Sequence, residues 1–285
     1  KGAALNAISY FWFTQFQRAG LARNHILEVP HPLVWIVQRA RPVMVEAIAR
    51  RFITGSLWRA YQQGEREFCG IQLPDNLHTN QRLSGILVTP STKGVMRGLA
   101  GIPEADDTNL SRAQLTQHWR AFGFRSPDDI DHYEKLLKQG AELIASHLAP
   151  LELMLVDTKF EFGYANDSAG DEQLIYIDEV GTPDSSRIWD AVAYRSGRVL
   201  ENSKEEFRQA LLRHVKDPQL LLDHTRFEER KQFAATHALP AGMLHSVSDT
   251  YRAVAERIIG QPVVIPQEPR ESMISTLNDQ FALVH

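Results

Sequence analysis

The sequence has one cysteine, Cys69, in 285 residues. An intramolecular disulfide is therefore excluded, and this usage fits a reducing compartment such as the cytoplasm. No apolar run approaches the ~18 to 20 residues needed to span a bilayer. Neither sign of charge dominates, with 31 Lys and Arg against 35 Asp and Glu, a formal net charge of -4. Nucleic acid and anionic membranes are thus disfavoured as partners, and an anionic ligand must be held by a local basic cluster. A small molecule is the expected partner. His and Cys at metal-ligand spacing, internal repeats and low-complexity tracts are also lacking. The opening residues Lys1-Gly2-Ala3-Ala4-Leu5 show neither an initiator Met nor a basic stretch ahead of an apolar core, so they do not read as a signal peptide.

What is present is a core-forming composition, 43% hydrophobic, enough for one large domain or two smaller ones. Leu5, Ile8, Trp12, Phe16 and Ala19 recur at helical spacing, with Gly20 placed as a C-terminal cap. Leu33 to Gln38 and Val43 to Ala49 read as strands joined by Arg39-Ala40-Arg41-Pro42, the expected lobe boundary. Gly101 to Asn109 has loop composition, and Asp128 to His147 is a structural helix. Two strands, Leu153 to Gly163 and Gln173 to Gly181, flank a polar hairpin loop centred near Ser168. Helices return from Ser203 onward, including Tyr251 to Ile259 and Ser272 to Leu283, with Gln261 to Pro269 as a connector. The class is α+β, with helices at both ends and the chemistry in the middle.

The first hairpin strand alternates so that Asp157, Lys159 and Glu161 share one face, while Thr158, Phe160 and Phe162 face the core. Three charges on a strand face most often form a solvated surface. The second strand argues against that, because an apolar run there closes on Asp178-Glu179. Across the hairpin Asp178 lies diagonal to Lys159 and Glu161, roughly 7 to 8 Å away between backbones, close enough for long side chains to meet around a cation. Magnesium held by few carboxylates and by phosphate oxygens needs no complete protein cage.

Three clusters could hold an anion. Gly181 to Trp189 reads as a Pro turn leading to a helix N-terminus, where free N–H groups and Arg187 would face a phosphate; the alternative is an ordinary capped turn with Arg187 in a surface ion pair. Arg50 to Ser56 combines two arginines with small residues that could equally be solvated, and Thr89 to Gly94 has Lys and Gly without Walker A spacing.

Taken in order, these strings resemble the SAICAR synthetase family. The likeness runs through Arg50 to Tyr61, Cys69-Gly70-Ile71 with Leu73-Pro74, Thr89 to Lys93, Val156 to Gly163 (Asp-x-Lys-x-Glu-Phe-Gly) and Asp178 to Arg187 (Asp-Glu-x-x-Thr-Pro-Asp-x-Ser-Arg), and weakly through Asn202 to Lys204 and Tyr251 to Gly260. The resemblance implies a two-lobed fold distantly similar to ATP-grasp enzymes and protein kinases, with antiparallel sheets and flanking helices. It divides the chain into residues 1–42, a remnant of the ATP-binding lobe; 43–215, a central lobe with substrate and metal sites; and 216–285, C-terminal helices packed on that lobe. The family's Gly-Lys-Val-Arg-Asp and Asp-Arg-Ile-Ser-Ala-Phe-Asp elements do not occur here, and Lys1-Gly2 resembles the Pro-Gly-Lys-Gly that follows them, so most of the first lobe is expected to be missing.

The activity the resemblance implies is an ATP-dependent ligation joining L-aspartate to the carboxylate of a carboxylated aminoimidazole ribonucleotide (CAIR) through an acyl phosphate, giving SAICAR, ADP and phosphate. By the same resemblance Glu161 and Asp178 hold Mg2+ with the ATP phosphates, and Lys159 stabilises the transferring group. Arg50, Ser56 and Arg187, with Ser186, hold the ribonucleotide phosphate, while Lys93, Asp107 and Asp184 are further substrate-site residues. Analogy with a kinase hinge points to Gln38 to Pro42 and Glu46 for adenine. Position 203 carries Ser where the family commonly has Asp, which weakens the carry-over of Lys204. A homo-oligomer stays open. So do a kinase-like phosphotransferase, against which His-Arg-Asp and Asp-Phe-Gly are absent, and a nucleotide-binding protein without turnover.

Overall fold

The structure is a computed structural model that describes residues 1–283, and only the backbone at position 224. The chain opens with α1 (Gly2–Arg18), which buries Ile8, Trp12, Phe13 and Phe16 on one side and ends before Gly20 at φ +71. A two-stranded ribbon, β1 (Ile26–His31) and β2 (Val34–Val37), follows. Then come β3 (Arg41–Pro42), β4 (Val45–Phe52), α2 (Gly55–Gln62), the small ribbon β5 (Glu67–Phe68) and β6 (Ile71–Gln72), β7 (Arg82–Val88) and β8 (Ser91–Thr92). A short α3 (Arg112–Gln117), held by a Ser111–Gln114 capping box, precedes the long α4 (Asp128–Leu148). Three aspartates in the first turn of α4 complement its dipole, and Ile130, Tyr133, Leu137, Ile144 and Leu148 form its buried stripe.

The centre of the fold is the hairpin β9 (Leu153–Asn166) and β10 (Glu172–Ile177), followed by β11 (Ser186–Asp190) and α5 (Ala191–Arg195). The C-terminal part holds α6 (Lys204–His214), α7 (Gln219–Leu222), α8 (Phe227–Thr236), α9 (Ala241–Ile259) and α10 (Pro269–Phe281). All seven strands of the main sheet pair antiparallel, in the order β10-β9-β4-β7, with β11 and β3 also on β9 and β8 on β4. The 14-residue β9 is thus the spine of the sheet.

Packing runs through residue 42 without a break. Trp12 and Phe16 of α1, Phe160 and Tyr176 of the hairpin, and Tyr251, Val254 and Ile258 of α9 belong to one core. Phe16 lies 5.8 Å from Phe160 and 5.0 Å from Tyr176 between ring centroids, and such pairs add about 0.5 to 1.5 kcal/mol beyond their area burial. Gly140, mid-helix in α4, permits this approach, since a Cβ there would stand 2.7 Å from the Phe160 ring.

Two sequence expectations change. Arg41-Pro42, read as a link, is itself a strand paired with Tyr164 and Gly163. The helix N-terminus expected after Pro183 is instead β11, because Ile188 and Trp189 complete the edge of β9 opposite Leu155 and Met154 and are fully buried there. Helix begins only at Ala191, capped by Asp190 accepting from the Ala193 N–H at 2.8 Å. Among the described residues no helix is long and apolar enough to cross a membrane.

Candidate active site

Strand register assembles the first half of the site. Arg50 of β4 and Arg187 of β11 both pair with Asp157 on β9, on its two opposite edges, so the three side chains stand in a row across three adjacent strands. Arg50 is 5% exposed and Asp157 7%. The charged strand face is therefore buried, not solvated. Arg50 donates from Nε to Thr89 Oγ1 at 2.8 Å and from Nη2 to Ser56 Oγ at 3.1 Å, with Nη1 3.5 Å from Asp157 Oδ2. Arg187 donates to the same Asp157 oxygen, and its Nη2 lies 3.6 Å from Glu205 Oε2. Burial pulls the Arg187 pKa down, but Asp157 and Glu205 outweigh it and leave it raised. Gly55 opens α2 at φ +57; a Cβ there would meet Arg187 Nη2 at 2.7 Å, so only glycine admits this approach.

The second half lies farther along the spine, past Lys159. Lys159 Nζ donates to Glu46 Oε1 at 2.6 Å and to Glu161 Oε1 at 3.3 Å, and Lys93 Nζ donates to Glu161 Oε2. Asp178 follows directly on the Ile177–Glu161 pair, at φ 60. Burial and then the charge of Glu161 raise its pKa, with Lys159 and Lys93 opposing. Burial likewise raises Glu179, whose Oε2 accepts from Thr182 Oγ1 at 2.9 Å.

A cleft of about 440 Å3 joins these parts. Of the residues singled out in the sequence it is lined by Glu46, Arg50, Ser56, Asp107, Asp157, Lys159, Asp184, Ser186, Arg187 and Lys204. Glu161, Lys93 and Asp178 do not line it but adjoin it through Lys159. Gln38 to Pro42 lie elsewhere: the Arg41-Pro42 backbone pairs with β9, and the Arg41 guanidinium donates to Gly123 O at 2.6 Å. A larger hollow of about 710 Å3, between residues 19–22, α4 and β10, is lined by none of the candidate site residues.

The donor set suits a hard cation in part. Glu161 and Asp178 offer carboxylate oxygens at close quarters, as magnesium prefers. Among the described residues, however, no group of three or more His, Cys, Asp and Glu could hold a metal ion unaided. A cation bound there would need phosphate and water oxygens to complete its shell.

The profile of the family described as SAICAR synthetase matches residues 1–220. The chain belongs to this family. A phosphoribosylaminoimidazole-succinocarboxamide synthase of Aeromonas salmonicida is 57% identical over 284 residues, which are 100% of this chain and 77% of that protein. A SAICAR synthase from Saccharomyces cerevisiae, solved in complex with SAICAR, superposes with a TM-score of 0.67 at 23% identity, covering 92% of this chain and 82% of that one. A SAICAR synthetase in complex with ADP superposes with a TM-score of 0.60 at 20% identity, over 93% of this chain and 83% of that one. At these identities the two solved structures establish the fold: an α+β arrangement of antiparallel sheets with flanking helices. Membership makes the chain an ATP-dependent ligase of purine biosynthesis, and neither the phosphotransferase nor the binding-protein alternative is favoured.

Sequence reasoning missed several members of the SAICAR synthetase cleft and discounted another, Lys204. Arg59, Lys204, Glu205 and Arg208 all line it. Arg59 sits three residues after Ser56, one helical turn on, a spacing that could have revealed it. The set on α6 was obscured by Ser203, which replaces an expected Asp yet caps the helix in the same way, accepting from the Glu205 N–H at 3.4 Å.

Proposed function

We propose that this cleft joins L-aspartate to the carboxylate of CAIR at the expense of ATP. The γ-phosphoryl group passes to a carboxylate oxygen, releasing ADP and leaving an acyl phosphate. The aspartate amine then attacks the carbonyl carbon, phosphate departs with that oxygen, and the nitrogen loses a proton to give the succinocarboxamide. Such chemistry demands positioning and charge compensation more than covalent help from the protein.

Arg50, Arg187 and the Ser56 hydroxyl take the 5'-phosphate of CAIR, with Ser186 beside them. The guanidinium fork suits a phosphate, and displacement of Glu205 would free one edge of Arg187. Lys159 and Lys93 compensate the transferring phosphoryl group, and Glu46 keeps Lys159 directed along the cleft. Glu161 and Asp178 would hold magnesium, which when bound supplies Lewis-acid neutralisation of phosphate charge. Asp107 and Asp184 face the amino-acid side. A cytoplasmic location suits a chain with a single free cysteine.

The observation that carries this reading is the Arg50–Asp157–Arg187 row opening beside Lys159 in one cleft, with Glu161 adjoining through Lys159, an anion site next to a site for charge transfer. The test is ADP release by purified protein supplied with ATP, magnesium and CAIR. Release that requires L-aspartate, accompanied by SAICAR, supports the reading; release independent of any amine refutes it.

A further inference from the structure

Tyr251 belongs to α9, beyond the residues 1–220 that the family profile matches. Its ring is 1% exposed, packed with Val254, Ala255 and Ile258 in the stripe that fastens α9 to the core. Its hydroxyl nevertheless leaves the core and donates to Asp184 Oδ1 in the cleft. The other oxygen, Oδ2, accepts the Lys1 ammonium at 2.8 Å, and that ammonium stands 5.3 Å from the centroid of the Tyr251 ring. Asp184 and the Tyr251 ring thus form a seat that receives a primary ammonium group.

The loop carrying Asp184 is fixed from several sides. Trp12 Nε1 donates to Gly181 O at 3.2 Å, the Asp184 N–H to Thr182 Oγ1 at 3.2 Å, and the Lys204 N–H to Pro183 O at 2.9 Å. Gly181 is required there, since at φ +64 a Cβ would meet Trp12 at 2.5 Å. With the backbone held, the remaining freedom of Asp184 is that of its side chain, which the Tyr251 hydroxyl on Oδ1 and the Lys1 ammonium on Oδ2 restrain.

We propose that Tyr251 is a positioning residue for the amino-acid substrate: it orients Asp184 so that Oδ2 faces the cleft and receives the substrate's ammonium group. This rests on the placement of Asp184 on the amino-acid side of the cleft. Oδ2 has a second lone pair beyond the one used by Lys1, so a second ammonium can be accepted without loss of the first.

Tyr251→Phe keeps the ring volume and deletes only the hydroxyl. On the active enzyme it is expected to raise KM for L-aspartate about 10- to 100-fold, the loss typical of one hydrogen bond to a charged group. KM for ATP and for CAIR should stay within about two-fold, inside the scatter of such comparisons. Asp184→Asn should show the same selectivity, and the double variant should lose little beyond Asp184→Asn alone, because Tyr251 acts through Asp184. An equal rise for all three substrates, or a lowered thermal midpoint with every KM unchanged, would make Tyr251 purely structural and overturn the inference. If Asp184→Asn is selective for L-aspartate and Tyr251→Phe is not, the inference fails while the reading of the cleft stands. If Asp184→Asn itself leaves KM for L-aspartate unchanged, the cleft reading fails and takes the inference with it.

Discussion

Replacing Arg187 by alanine removes one of the two guanidinium groups that flank Asp157. The remaining partner, Arg50, lies 3.5 Å from the Asp157 carboxylate and is already committed to Thr89 and Ser56. Two losses follow, on different observables. On the proposed reading a charged contact to the ribonucleotide phosphate disappears, which at about 1.5 to 3 kcal/mol corresponds to roughly one to two decades in the Kd for CAIR. In the proposed reading ATP contacts the lysine and carboxylate end of the cleft, so its Kd should change by less than about three-fold. The second loss is stability. Removing one partner of a buried pair can cost about 3 to 5 kcal/mol, but the Arg187 side chain is 20% exposed and Arg50 still compensates Asp157. The expected cost is therefore about 1 to 2 kcal/mol, visible as a thermal midpoint lowered by a few degrees. Separate calorimetric titrations with CAIR and ATP, at a temperature where the variant is folded, measure the first effect. Arg187→Lys should recover stability better than CAIR affinity, because a point charge can pair with Asp157 but cannot grip a phosphate as a fork. Equal weakening toward both ligands would refute the assignment of Arg187 to the phosphate.

Asp178→Asn should reduce aspartate-dependent ADP release by at least about a hundred-fold, as expected when charge compensation worth several kcal/mol is lost. Its fold should survive, since Asn tolerates the φ of 60 found at this position; normal turnover at low magnesium would show that Asp178 is not a ligand. A third expectation concerns His25, which sits between the rings of Phe13 and Trp35 at 5.8 and 6.1 Å and whose pKa burial lowers from 6.5 to about 4. Protons then bind the unfolded chain in preference, so stability is full above pH 6.5 and declines as pH falls toward 4. The decline attributable to this group is about 1 to 2 kcal/mol after allowance for solvent screening of a side chain that is not fully buried. His25→Leu should flatten the unfolding midpoint across that range, and an unchanged slope would exclude His25 as its source.

Much of the site could be read from local sequence because it lies on one strand and its hairpin partner. Period-two alternation is enough to put Asp157, Lys159 and Glu161 together, and a short loop is enough to bring Asp178 beside them. The helical stripes of α1 and α4 are equally local, since spacing of three and four residues defines a buried face wherever that face ends up. The segment after Pro183 shows where such reasoning stops. Its Pro, Ser and Asp residues favour a helix start, yet the open edge of β9 offers Ile188 and Trp189 a buried, hydrogen-bonded place that outweighs the local preference.

The sequence alone determined the family, the hairpin chemistry and the residue types suited to a phosphate, because each is encoded in a few neighbouring positions. Tertiary structure decided which of these meet. Arg50 and Arg187 are 137 residues apart, yet the register of β4 and β11 on β9 sets both against Asp157. Tyr251 reaches Asp184 across 67 residues only because α9 packs its stripe against the core. Contacts of this kind depend on strand order and helix docking, which are chosen by the burial of the whole apolar surface and leave no mark in any local pattern.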